Sequence, residues 1–407
     1  MKIAILGLNY APEPIGIGPY TSGLAEFLAR RGHDVTVVAG NPYYPDWRLA
    51  PGFDKHGSRS VENGVTVVRV SHFIPARPRA ASRMAHYLSF ARSARRAMTK
   101  LDRQDLVLAI APSLVAAPVA LGFARKWGAA SWLHIQDFEV EAAVATGLLS
   151  SGMLARMGSA FERRVIAGFD HVSSISRPMV AKAIEKGAAP QRAIELRNWA
   201  DTDLAARAEE VEQLRRKLAI PDGPIALYSG NLALKQGAHI IGEAARLTAG
   251  RSDVQWVVCG EGTAREALEA DAEGTTNLHI RPLVERRDLG ALLAMADIHV
   301  LTQIAGAADL VLPSKLTNML ASGRPVVATA DPATALGEEV APCGILAEPG
   351  DAASLAMAVE RLASDEGLRV RLGKKAGELA RERWSAPVLL ERFAIALEQA
   401  ASEHGGP

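Results

Sequence analysis

The chain has 407 residues, of which 48% are hydrophobic and 22% are charged. These values are typical of a globular protein and exclude disordered, collagen-like and coiled-coil compositions. Lys and Arg number 46 and Asp and Glu number 45, so the net charge of +1 excludes a global field that would attract nucleic acid. The two cysteines, Cys259 and Cys343, exclude a disulfide framework and a four-cysteine zinc site.

The N-terminal segment predicts a strand rather than a signal peptide. It reads MKIAILGLNYAPEP, with a short apolar run that breaks at Asn9 and Pro12 and no small-residue cleavage site. The longest uncharged stretch, 106–124, contains Pro112 and Pro118, so it predicts a buried strand followed by a helix rather than a membrane span. We therefore expect a cytoplasmic location.

Short apolar and β-branched runs alternate with helical patterns along the chain. This alternation predicts right-handed βαβ units and parallel sheets. The predicted strands are 3–6, 35–39, 65–70, 106–111, 131–135 and 171–175, then 225–229, 255–259, 278–281, 298–302 and 325–329. Two such series predict an α/β protein with two doubly wound, Rossmann-like domains that face each other across a cleft, where a ligand would bind.

The predicted domain boundary is a charged helical stretch that ends in a turn. The stretch EEVEQLRRKL runs into Ile-Pro-Asp-Gly-Pro, a cluster that stops a helix. We predict a first domain over 1–200, a linker over 201–222 and a second domain over 223–384. The segment 385–401 has apolar residues at helical spacing, and it either caps the second domain or crosses back to the first.

The first βα turn contains Gly16 and Gly18, followed by a helix that Pro19 opens. Glycines allow backbone N–H groups to approach an anion, and the N-terminus of a helix carries partial positive charge. The pattern is not a dinucleotide fingerprint, because Thr21 replaces its third glycine and no acidic residue follows the second strand. It favours phosphate or sugar contact over a plain tight turn.

Two turns of the second domain repeat this design. The strand 225–229 leads into Gly230 and Asn231, with Lys235 further along the loop, and the next strand leads into a Gly-Glu-Gly turn around Glu261. A lysine in a glycine-bounded loop can neutralise a diphosphate. Each turn alone is weak evidence, because glycines at βα turns are mostly structural.

A further loop of the second domain ends in Pro313, Ser314 and Lys315, which predict a helix start with Ser314 as its cap. Lys315 and Asn318 are three residues apart, so we expect them on one face at the mouth of the cleft. A cation and an amide there would suit the phosphate and ribose of a nucleotide. The alternative is an exposed lysine on an ordinary surface helix.

Four segments in the same order resemble glycosyltransferase family 4, which has the GT-B fold. They are PEPxGIGxYTxxLAxxLxxRGHxVxVV, YSGN with its later lysine and glycine, the Gly-Glu-Gly turn, and PSKLTNxLASGRPVVA. The resemblance spans essentially the whole chain. The segments NPYYPDW (41–47) and LHIQDFEVEA (133–142) resemble more narrowly the colanic-acid-type, fucosyltransferase-like exopolysaccharide glycosyltransferases.

This resemblance implies a retaining, metal-independent enzyme. It would move a sugar, with fucose and mannose as candidates, from a nucleotide diphosphate sugar to a lipid-linked oligosaccharide, without a cofactor. The second domain would bind the donor and the first the acceptor, and the last helix would return to the first domain. A nucleotide-sugar epimerase of the same fold and a catalytically silent nucleotide-sugar-binding homologue remain alternatives.

The resemblance also assigns residues. Lys235 matches the lysine that binds the diphosphate, Asn231 stands where an arginine is common, and Asn318 stands where a glutamate is usual. On the acceptor side, a His-Asp pair is replaced by Gln136 and Asp137. The predicted catalytic residues are Lys235 and Asp137, and the acceptor-side residues are His134, Gln136 and Asp137. The predicted donor-binding residues are Gly16, Gly18, Gly230, Asn231, Lys235, Glu261, Asp309, Ser314, Lys315 and Asn318.

Two further charged segments bear on metal binding and on membrane binding. The stretch Asp201-Thr202-Asp203 looks like a metal-binding D-x-D motif, but it falls at the interdomain connection, so we expect no metal. Between Phe73 and Arg103 lie eight cations and one acid, with apolar residues at helical spacing, which predicts a basic amphipathic helix that contacts an anionic membrane at its cytoplasmic face. A core-packed helix with a solvated basic face is the alternative. The predicted patch is Arg77, Arg79, Arg83, Arg92, Arg95, Arg96 and Lys100.

Overall fold

The structure is a computed structural model that describes residues 1–13, 16–77, 79–139, 152–200, 206–232, 237–262, 264–303, 313 and 315–404. The chain divides into two compact units. The first unit consists of Met1–Arg197 and the segment from Leu390 onward, and the second unit consists of Asn198–Leu389. Each unit contains a sheet of its own and hydrophobic core clusters of its own.

The sheet of the first unit, called the first sheet, has eight strands within the described residues, in the order β3-β4-β2-β1-β5-β6-β7-β8. Neighbouring strands are parallel except β3 and β4, which pair antiparallel. The strands are β1 (Lys2–Gly7), β2 (Asp34–Gly40), β3 (Gly57–Glu62), β4 (Val65–Val70), β5 (Leu106–Ala111), β6 (Ala130–Ile135), β7 (His171–Ser174) and β8 (Ala193–Glu195). The accompanying helices are α1 (Gly18–Arg30), α2 (Ala80–Met98), α3 (Ala117–Trp127), α4 (Met153–Ile166) and α5 (Arg177–Glu185).

The sheet of the second unit, called the second sheet, has six parallel strands within the described residues, in the order β11-β10-β9-β12-β13-β14. The strands are β9 (Ile225–Asn231), β10 (Gln255–Glu261), β11 (Leu278–Arg281), β12 (Ile298–Leu301), β13 (Val326–Thr329) and β14 (Gly344–Ala347). The helices are α6 (Ala208–Lys217), α7 (Ile240–Thr248), α8 (Arg265–Ala272), α9 (Leu289–Met295), α10 (Lys315–Ala321), α11 (Ala335–Val340), α12 (Ala352–Ser364), α13 (Glu366–Arg383) and α14 (Ala386–His404).

The predicted α/β class and the doubly wound sheets are confirmed, and every predicted strand is present. The central strands are apolar throughout, because helices cover both faces of a parallel sheet. Three strands were not predicted: β3, β8 and β14. β3 is a polar edge strand with the sequence GSRSVE, and β8 has only three residues, so neither carries a clear apolar run.

The segment 201–222, predicted as a linker, contains the helix that its charged stretch predicts. Residues 208–217 form α6, and Leu214 and Leu218 are buried in a core cluster with Ile225 of β9. The apolar side of this charged helix therefore packs on the second unit, to which its residues belong. The first part of the segment, 201–205, which contains the D-x-D stretch, lies outside the described residues.

The last helix, α14, contacts the first unit through charged and aromatic side chains. The guanidinium of Arg31, at the end of α1, forms ion pairs with Glu391 at 2.6 Å and Glu398 at 2.7 Å. The ring of Phe393 lies edge-on to the ring of His134 on β6, with 5.1 Å between centroids. The part of α14 from Leu390 onward belongs to the first unit.

Candidate active site

The carboxyl edge of each sheet, where the parallel strands end, carries most of the predicted site residues. At the second sheet, Gly230 and Asn231 of β9 lie opposite Gly260 and Glu261 of β10. Gly230 has φ +123°, a backbone conformation that glycine adopts readily and other residues rarely do. A Cβ on Gly260 would lie 2.3 Å from the carbonyl oxygen of Gly230, so the two strand ends approach closely only because glycine occupies position 260.

Lys315 extends from the start of α10 to this edge. Its Nζ lies 3.8 Å from the centroid of the Tyr228 ring, and a Cβ on Gly230 would lie 3.9 Å from the same nitrogen. The Nζ atom is buried and has no hydrogen-bond partner within the part of the chain that the structure describes. Burial lowers the pKa of this amine to about 7, because the charged form loses its hydration. A ligand anion would compensate for that loss.

Asn318 lies one turn further along α10. It lines a cavity of about 370 Å³ within the second unit, together with residues such as Ala294, Gly377 and Trp384. Lys315 is not among the residues that line this cavity. The side chain of Lys315 lies beside the ring of Tyr228 on β9, and the prediction that Lys315 and Asn318 share a face at the mouth of a cleft stays a prediction.

The other predicted donor residues divide into two groups. Glu261 is present at the edge, where its carboxylate accepts a hydrogen bond from the Arg265 guanidinium at 2.9 Å. The charge of Glu261 is thus already partly compensated by Arg265, the first residue of α8. Lys235, Asp309 and Ser314 lie outside the described residues, so their predicted roles remain predictions.

At the carboxyl edge of the first sheet, the glycine loop is closely packed. Gly16 has φ +74°, and a Cβ at this position would lie 3.3 Å from the ring of Tyr44. A Cβ on Gly18 would lie 3.1 Å from the side chain of Glu13 and 3.3 Å from the carbonyl oxygen of Tyr10. The close neighbours of both positions, and the positive φ of Gly16, thus favour glycine here.

Glu13 joins two loops at this edge, although sequence reasoning did not select it. Its buried carboxylate accepts hydrogen bonds from the backbone N–H groups of Tyr43 and Tyr44, both at 3.0 Å. It also accepts a hydrogen bond from the amide of Asn9 at 2.8 Å. Burial raises the pKa of Glu13, and these three hydrogen bonds oppose that shift. An acidic residue inside the PEP motif was the available sequence signal.

Two of the three predicted acceptor-side residues, Gln136 and Asp137, lie just after β6. Asp137 is exposed, Gln136 is buried, and the nearby Glu139 accepts hydrogen bonds from the backbone N–H groups of Ser113 at 2.8 Å and Leu114 at 2.5 Å. Burial raises the pKa of Glu139. The structure thus brings Asp137 together with a second, anchored carboxylate that sequence reasoning did not identify.

His134 is placed differently from the other two acceptor-side residues. It is 3% exposed, its Nδ1 lies 2.9 Å from the hydroxyl of Ser173, and its ring packs against Phe393 of α14. Burial lowers its pKa to about 3, so the imidazole is neutral. Because the side chain lies between the sheet and α14, this position does not favour the predicted contact of His134 with an acceptor.

The predicted basic helix is α2, and its two faces are distinct. His86, Phe90, Ala94 and Met98 are buried against the first unit, whereas Leu88 is 54% exposed. Part of the predicted apolar stripe therefore faces the core. The exposed cations of the predicted patch are Arg77, Arg79, Arg92, Arg95, Arg96 and Lys100.

Arg83 is the exception in the predicted patch. It is half-buried, its Cζ lies 5.8 Å from the centroid of the Trp47 ring, and it donates a hydrogen bond to the hydroxyl of Tyr87 at 3.4 Å. Arg83 is thus only partly exposed, because its side chain lies beside Trp47 of the loop 41–47, and its place in a membrane-binding patch stays a prediction. No charge pattern in the sequence distinguishes it from the neighbouring arginines.

The described residues contain neither a metal-binding cluster nor a membrane-spanning helix. No group of three or more His, Cys, Asp or Glu side chains in this part of the chain is arranged to hold a metal ion. Among the helices that the structure describes, none combines the length and the apolar character needed to cross a membrane.

Both halves of the chain match models of known protein families. A model described as Glycosyl transferase 4-like domain matches residues 16–199, and one described as Glycosyl transferases group 1 matches residues 210–379. Over 349 residues the chain is 39% identical to an Escherichia coli (strain K12) protein, WcaI, named provisionally as a colanic acid biosynthesis glycosyl transferase. This alignment covers 83% of the chain and 85% of WcaI.

Solved structures with much lower identity share the fold. Sucrose-phosphate synthase from Thermosynechococcus elongatus gives a TM-score of 0.75 at 16% identity, covering 99% of this chain and 100% of that one. Anabaena HepE in complex with UDP-glucose gives a TM-score of 0.68 at 17% identity, covering 98% of this chain and 100% of that one. At these identities the likeness concerns the fold alone.

Proposed function

The chain belongs to the group 1 glycosyltransferases with a glycosyl transferase 4-like first domain and the GT-B fold, and from this premise we propose the reaction that it catalyses. It is a retaining enzyme that transfers a sugar from a nucleotide diphosphate sugar to a lipid-linked oligosaccharide during exopolysaccharide assembly. The name of its relative WcaI supports the pathway, and the UDP-glucose bound by Anabaena HepE supports the donor class. Fucose and mannose are the candidate sugars that follow from the family resemblance.

The buried amine of Lys315 is the main support for a nucleotide diphosphate sugar as the donor. It lies beside the glycine turn of β9 with no hydrogen-bond partner among the described residues, and desolvation lowers its pKa. A doubly charged diphosphate at this edge would stabilise the ammonium form of Lys315, which burial disfavours. In the sequence Lys235 follows Asn231 in the loop after β9, where we place it at the diphosphate, and Asn318 would bind the ribose hydroxyls from α10.

The chemistry follows from where charge develops. The bond between the anomeric carbon and the diphosphate oxygen breaks, so positive charge grows on the sugar and negative charge on the leaving diphosphate. Lys235 and Lys315 of the second unit would stabilise that negative charge. The acceptor hydroxyl attacks the face that the diphosphate leaves and gives its proton to the departing phosphate, which retains the configuration. Asp137 would orient the acceptor.

The membrane part of the proposal rests on two helices of the first unit. Exposed Met84 and Leu88 accompany the cations of α2, and α4 presents Met153, Met157 and Phe161, which are spaced four residues apart, to solvent. The β4-to-β5 and β6-to-β7 connections run in the same direction along the first sheet, so right-handed crossovers put both helices on one face. A lipid-linked acceptor would be presented to this face at the inner surface of the cytoplasmic membrane.

The donor proposal is tested with a panel of UDP- and GDP-sugars. We expect calorimetry to detect binding of one nucleotide class and the enzyme to release that nucleoside diphosphate slowly when water replaces the acceptor. Formation of an epimerised donor without release would favour the epimerase alternative. Binding without either reaction would favour the silent homologue, for which Asn231 and Asn318 in place of charged residues are the motivation.

The membrane proposal is tested by co-sedimentation with vesicles. We expect binding to vesicles that contain phosphatidylglycerol, no binding to pure phosphatidylcholine, and release at high salt. Charge reversal at Arg92, Arg95 and Arg96 should abolish binding without unfolding the protein, whereas Arg59→Glu, at an exposed position on β3, serves as the matched control. Equal binding to both vesicle types, or binding to neither, contradicts the proposal.

A further inference from the structure

Two histidines of the first unit contact each other beside α2. His72 follows β4, and His86 lies on the inner face of α2, where it is 0% exposed. The Nδ1 atoms of the two rings are 3.3 Å apart. The Nε2 atom of His72 lies 3.0 Å from the carbonyl oxygen of Asn41, and the Nδ1 atom of His86 lies 2.5 Å from the carbonyl oxygen of Phe73. Three of the four ring nitrogens thus have a polar neighbour.

These contacts determine which ring nitrogens carry protons. A carbonyl oxygen can only accept a hydrogen bond, so the N–H groups are Nε2 of His72 and Nδ1 of His86. The Nδ1 atom of His72 is then an acceptor that faces the N–H group of His86. The Nε2 atom of His86 is buried and has no hydrogen-bond partner within the described part of the chain. Each ring therefore has its one proton at a nitrogen with a carbonyl partner.

A second proton has no suitable place on either ring. On His72 it would occupy Nδ1 and point towards the N–H group of His86, 3.3 Å away. On His86 it would occupy the buried Nε2, for which no described residue provides an acceptor. A buried charge that lacks a hydrogen-bond partner is strongly disfavoured, so the geometry favours the neutral form of both rings.

The charged and titratable groups around the two rings act in the same direction. Arg83, one turn before His86 on α2, is positively charged, and each imidazole would repel a charge on the other. The phenols of Tyr43 in the segment 41–47 and of Tyr87 on α2 also face His86, but burial raises the pKa of both, so neither supplies a negative charge. Burial lowers the pKa of both imidazoles, to about 4 for His86, and their carbonyl partners only partly oppose this shift.

The two rings hold the segment 41–47 against α2. The ring of His86 lies 4.7 Å from the ring of Tyr43 and 5.4 Å from the ring of Trp47, measured between centroids. The ring of His72 lies 5.4 Å from that of Tyr43. The segment, NPYYPDW, carries one of the narrower family resemblances, and the proposed function gives it no role. We call these contacts between the two histidines and the segment the histidine junction.

The segment in turn contacts the first βα turn at the carboxyl edge of the first sheet. The backbone N–H groups of Tyr43 and Tyr44 both donate to the buried carboxylate of Glu13, at 3.0 Å. The ring of Tyr44 lies beside Gly16, since a Cβ on that glycine would lie 3.3 Å from it. Trp47 has φ +52°, which a non-glycine residue keeps only where the surrounding structure enforces it. Ligands of open parallel sheets bind outside the carboxyl ends of the strands, so the histidine junction positions loops that border this region.

We propose that the histidine junction is a pH-sensitive device that keeps the segment 41–47, and the turn around Glu13 with it, in place only while His72 and His86 are neutral. Protonation of either ring creates the contact between two N–H groups or the unpartnered buried charge described above, and the segment separates from α2. Release of the segment leaves both rings in water, where histidine has a pKa of about 6.5. Because the pKa values in the folded protein are lower, the junction is fully formed above about pH 6.5 and weakens as pH falls below it.

Nitrogen-15 NMR of the imidazole rings tests the protonation states, with assignments from the histidine variants below. At pH 7.5 His86 should be the neutral Nδ1–H tautomer, and His72 should be the neutral Nε2–H tautomer. A charged ring or the Nε2–H tautomer at His86 at this pH would overturn the proposal.

Hydrogen exchange measures release of the segment. The wild-type protein is labelled at pH 7.5, 6 and 5, with labelling times scaled to the intrinsic exchange rate at each pH. A shift of the His86 pKa from about 6.5 to about 4 favours the released state by about 30-fold at pH 5, so protection of the amides at 41–50 should fall by about that factor. Protection in β5 and β6 should not change.

Two substitutions keep the donors but remove the titration. His86→Asn places an amide N–H near the position of Nδ1, where it can donate to the Phe73 carbonyl, and His72→Gln does the same at the position of Nε2 for Asn41. The double variant should keep the protection of the segment at pH 5, and each single variant should lose less protection than the wild-type protein. His56→Asn, which removes an exposed histidine before β3, is the control and should respond to acid as the wild-type protein does.

Three outcomes would contradict the proposal. The first is equal protection of the segment at pH 5 and pH 7.5 in the wild-type protein. The second is an acid response of the double variant, or of both single variants if the double variant does not fold, that matches the wild-type response. The third is loss of protection in β5 and β6 together with the segment, because this indicates general acid unfolding rather than release at the junction.

Discussion

The carboxyl edges of the two sheets are built in different ways. At the first sheet, long loops are joined by buried carboxylates: Glu13 accepts three hydrogen bonds, and Glu139 accepts two backbone N–H groups. At the second sheet, strand ends approach closely at Gly230 and Gly260, and the buried amine of Lys315 has no hydrogen-bond partner among the described residues. At the first edge the buried carboxylates Glu13 and Glu139 thus accept hydrogen bonds from backbone N–H groups, whereas the buried amine of Lys315 at the second edge has no counter-charge among the described residues.

This difference indicates what each edge is prepared to bind. Fixed carboxylates, an arginine and aromatic rings form a rigid surface with donors and acceptors in place, which suits a ligand recognised by its shape and hydroxyl groups. A desolvated amine beside glycines suits a negatively charged ligand, because the charge of the ligand replaces the hydration that stabilised the ammonium form before burial. The comparison thus favours a sugar at the first edge and a diphosphate at the second.

The largest expected effect concerns the loop of the second edge. Lys235→Ala should reduce turnover by about 10 to 150-fold, because a charge-assisted contact of about 1.5 to 3 kcal/mol to the leaving diphosphate is lost. Steady-state rates at saturating donor measure this effect. Lys374→Ala, which removes an exposed lysine of α13, is the control. Unchanged turnover in Lys235→Ala would show that Lys235 does not stabilise the leaving diphosphate, and the proposed difference between the two edges would lose this support.

A smaller effect is expected at the first edge, on stability. Glu13→Ala should lower the free energy of unfolding by about 1 to 3 kcal/mol, because buried N–H groups of Tyr43 and Tyr44 lose their acceptor. Urea unfolding measures the loss, and hydrogen exchange at these two amides locates it. Glu13→Gln keeps a carbonyl acceptor and should retain most of the stability. If Glu13→Ala is as stable as Glu13→Gln, the carbonyl acceptor at position 13 does not hold the two loops together.

The pH dependence of donor binding sharpens the comparison. The pKa of Lys315 is lowered to about 7 in the empty site, so the amine is mostly uncharged above that pH, and binding a diphosphate requires it to take up a proton. UDP or GDP affinity should therefore fall by up to about tenfold per unit as pH rises from 7.5 to 9.5.

The Lys315 amine also makes the folding stability of the free protein depend on pH, but in the opposite direction to donor affinity. Unfolded lysine keeps its proton up to a pH of about 10.4, so this group makes the free protein more stable as pH rises from 7 to 10. Calorimetric titrations at three pH values measure the effect on binding, and Lys315→Arg, which stays charged, should remove it. An affinity independent of pH in the wild-type protein would mean that the amine does not meet the diphosphate.

The smallest effect is expected at Asn318. Asn318→Ala should weaken nucleoside diphosphate binding by only about 2 to 10-fold, the effect of one neutral hydrogen bond. Asn318→Glu should bind normally, because glutamate is usual at this position in the family that the sequence resembles. If Asn318→Glu folds but binds no nucleotide, the ribose does not lie at this residue, and the cavity beside Asn318 has another role.

The sequence by itself determined the α/β class, the two strand series and the glycine turns, because apolar runs, helical periodicity and glycine placement are local properties of the chain. It also indicated the family through the order of its motifs. It did not separate Arg83 from Arg92, or recognise Glu13, because the signal for each is a single charged residue in a charged or loop segment.

Only the tertiary structure decided which of these charges face solvent and which face each other. Arg83 turns towards Trp47, His134 is covered by Phe393 of α14, and Lys315 crosses to the ring of Tyr228. Each of these contacts joins residues that are far apart in sequence, so no local pattern encodes it. Burial then sets the charge state, since desolvation of an amine or imidazole depends on every element packed around it.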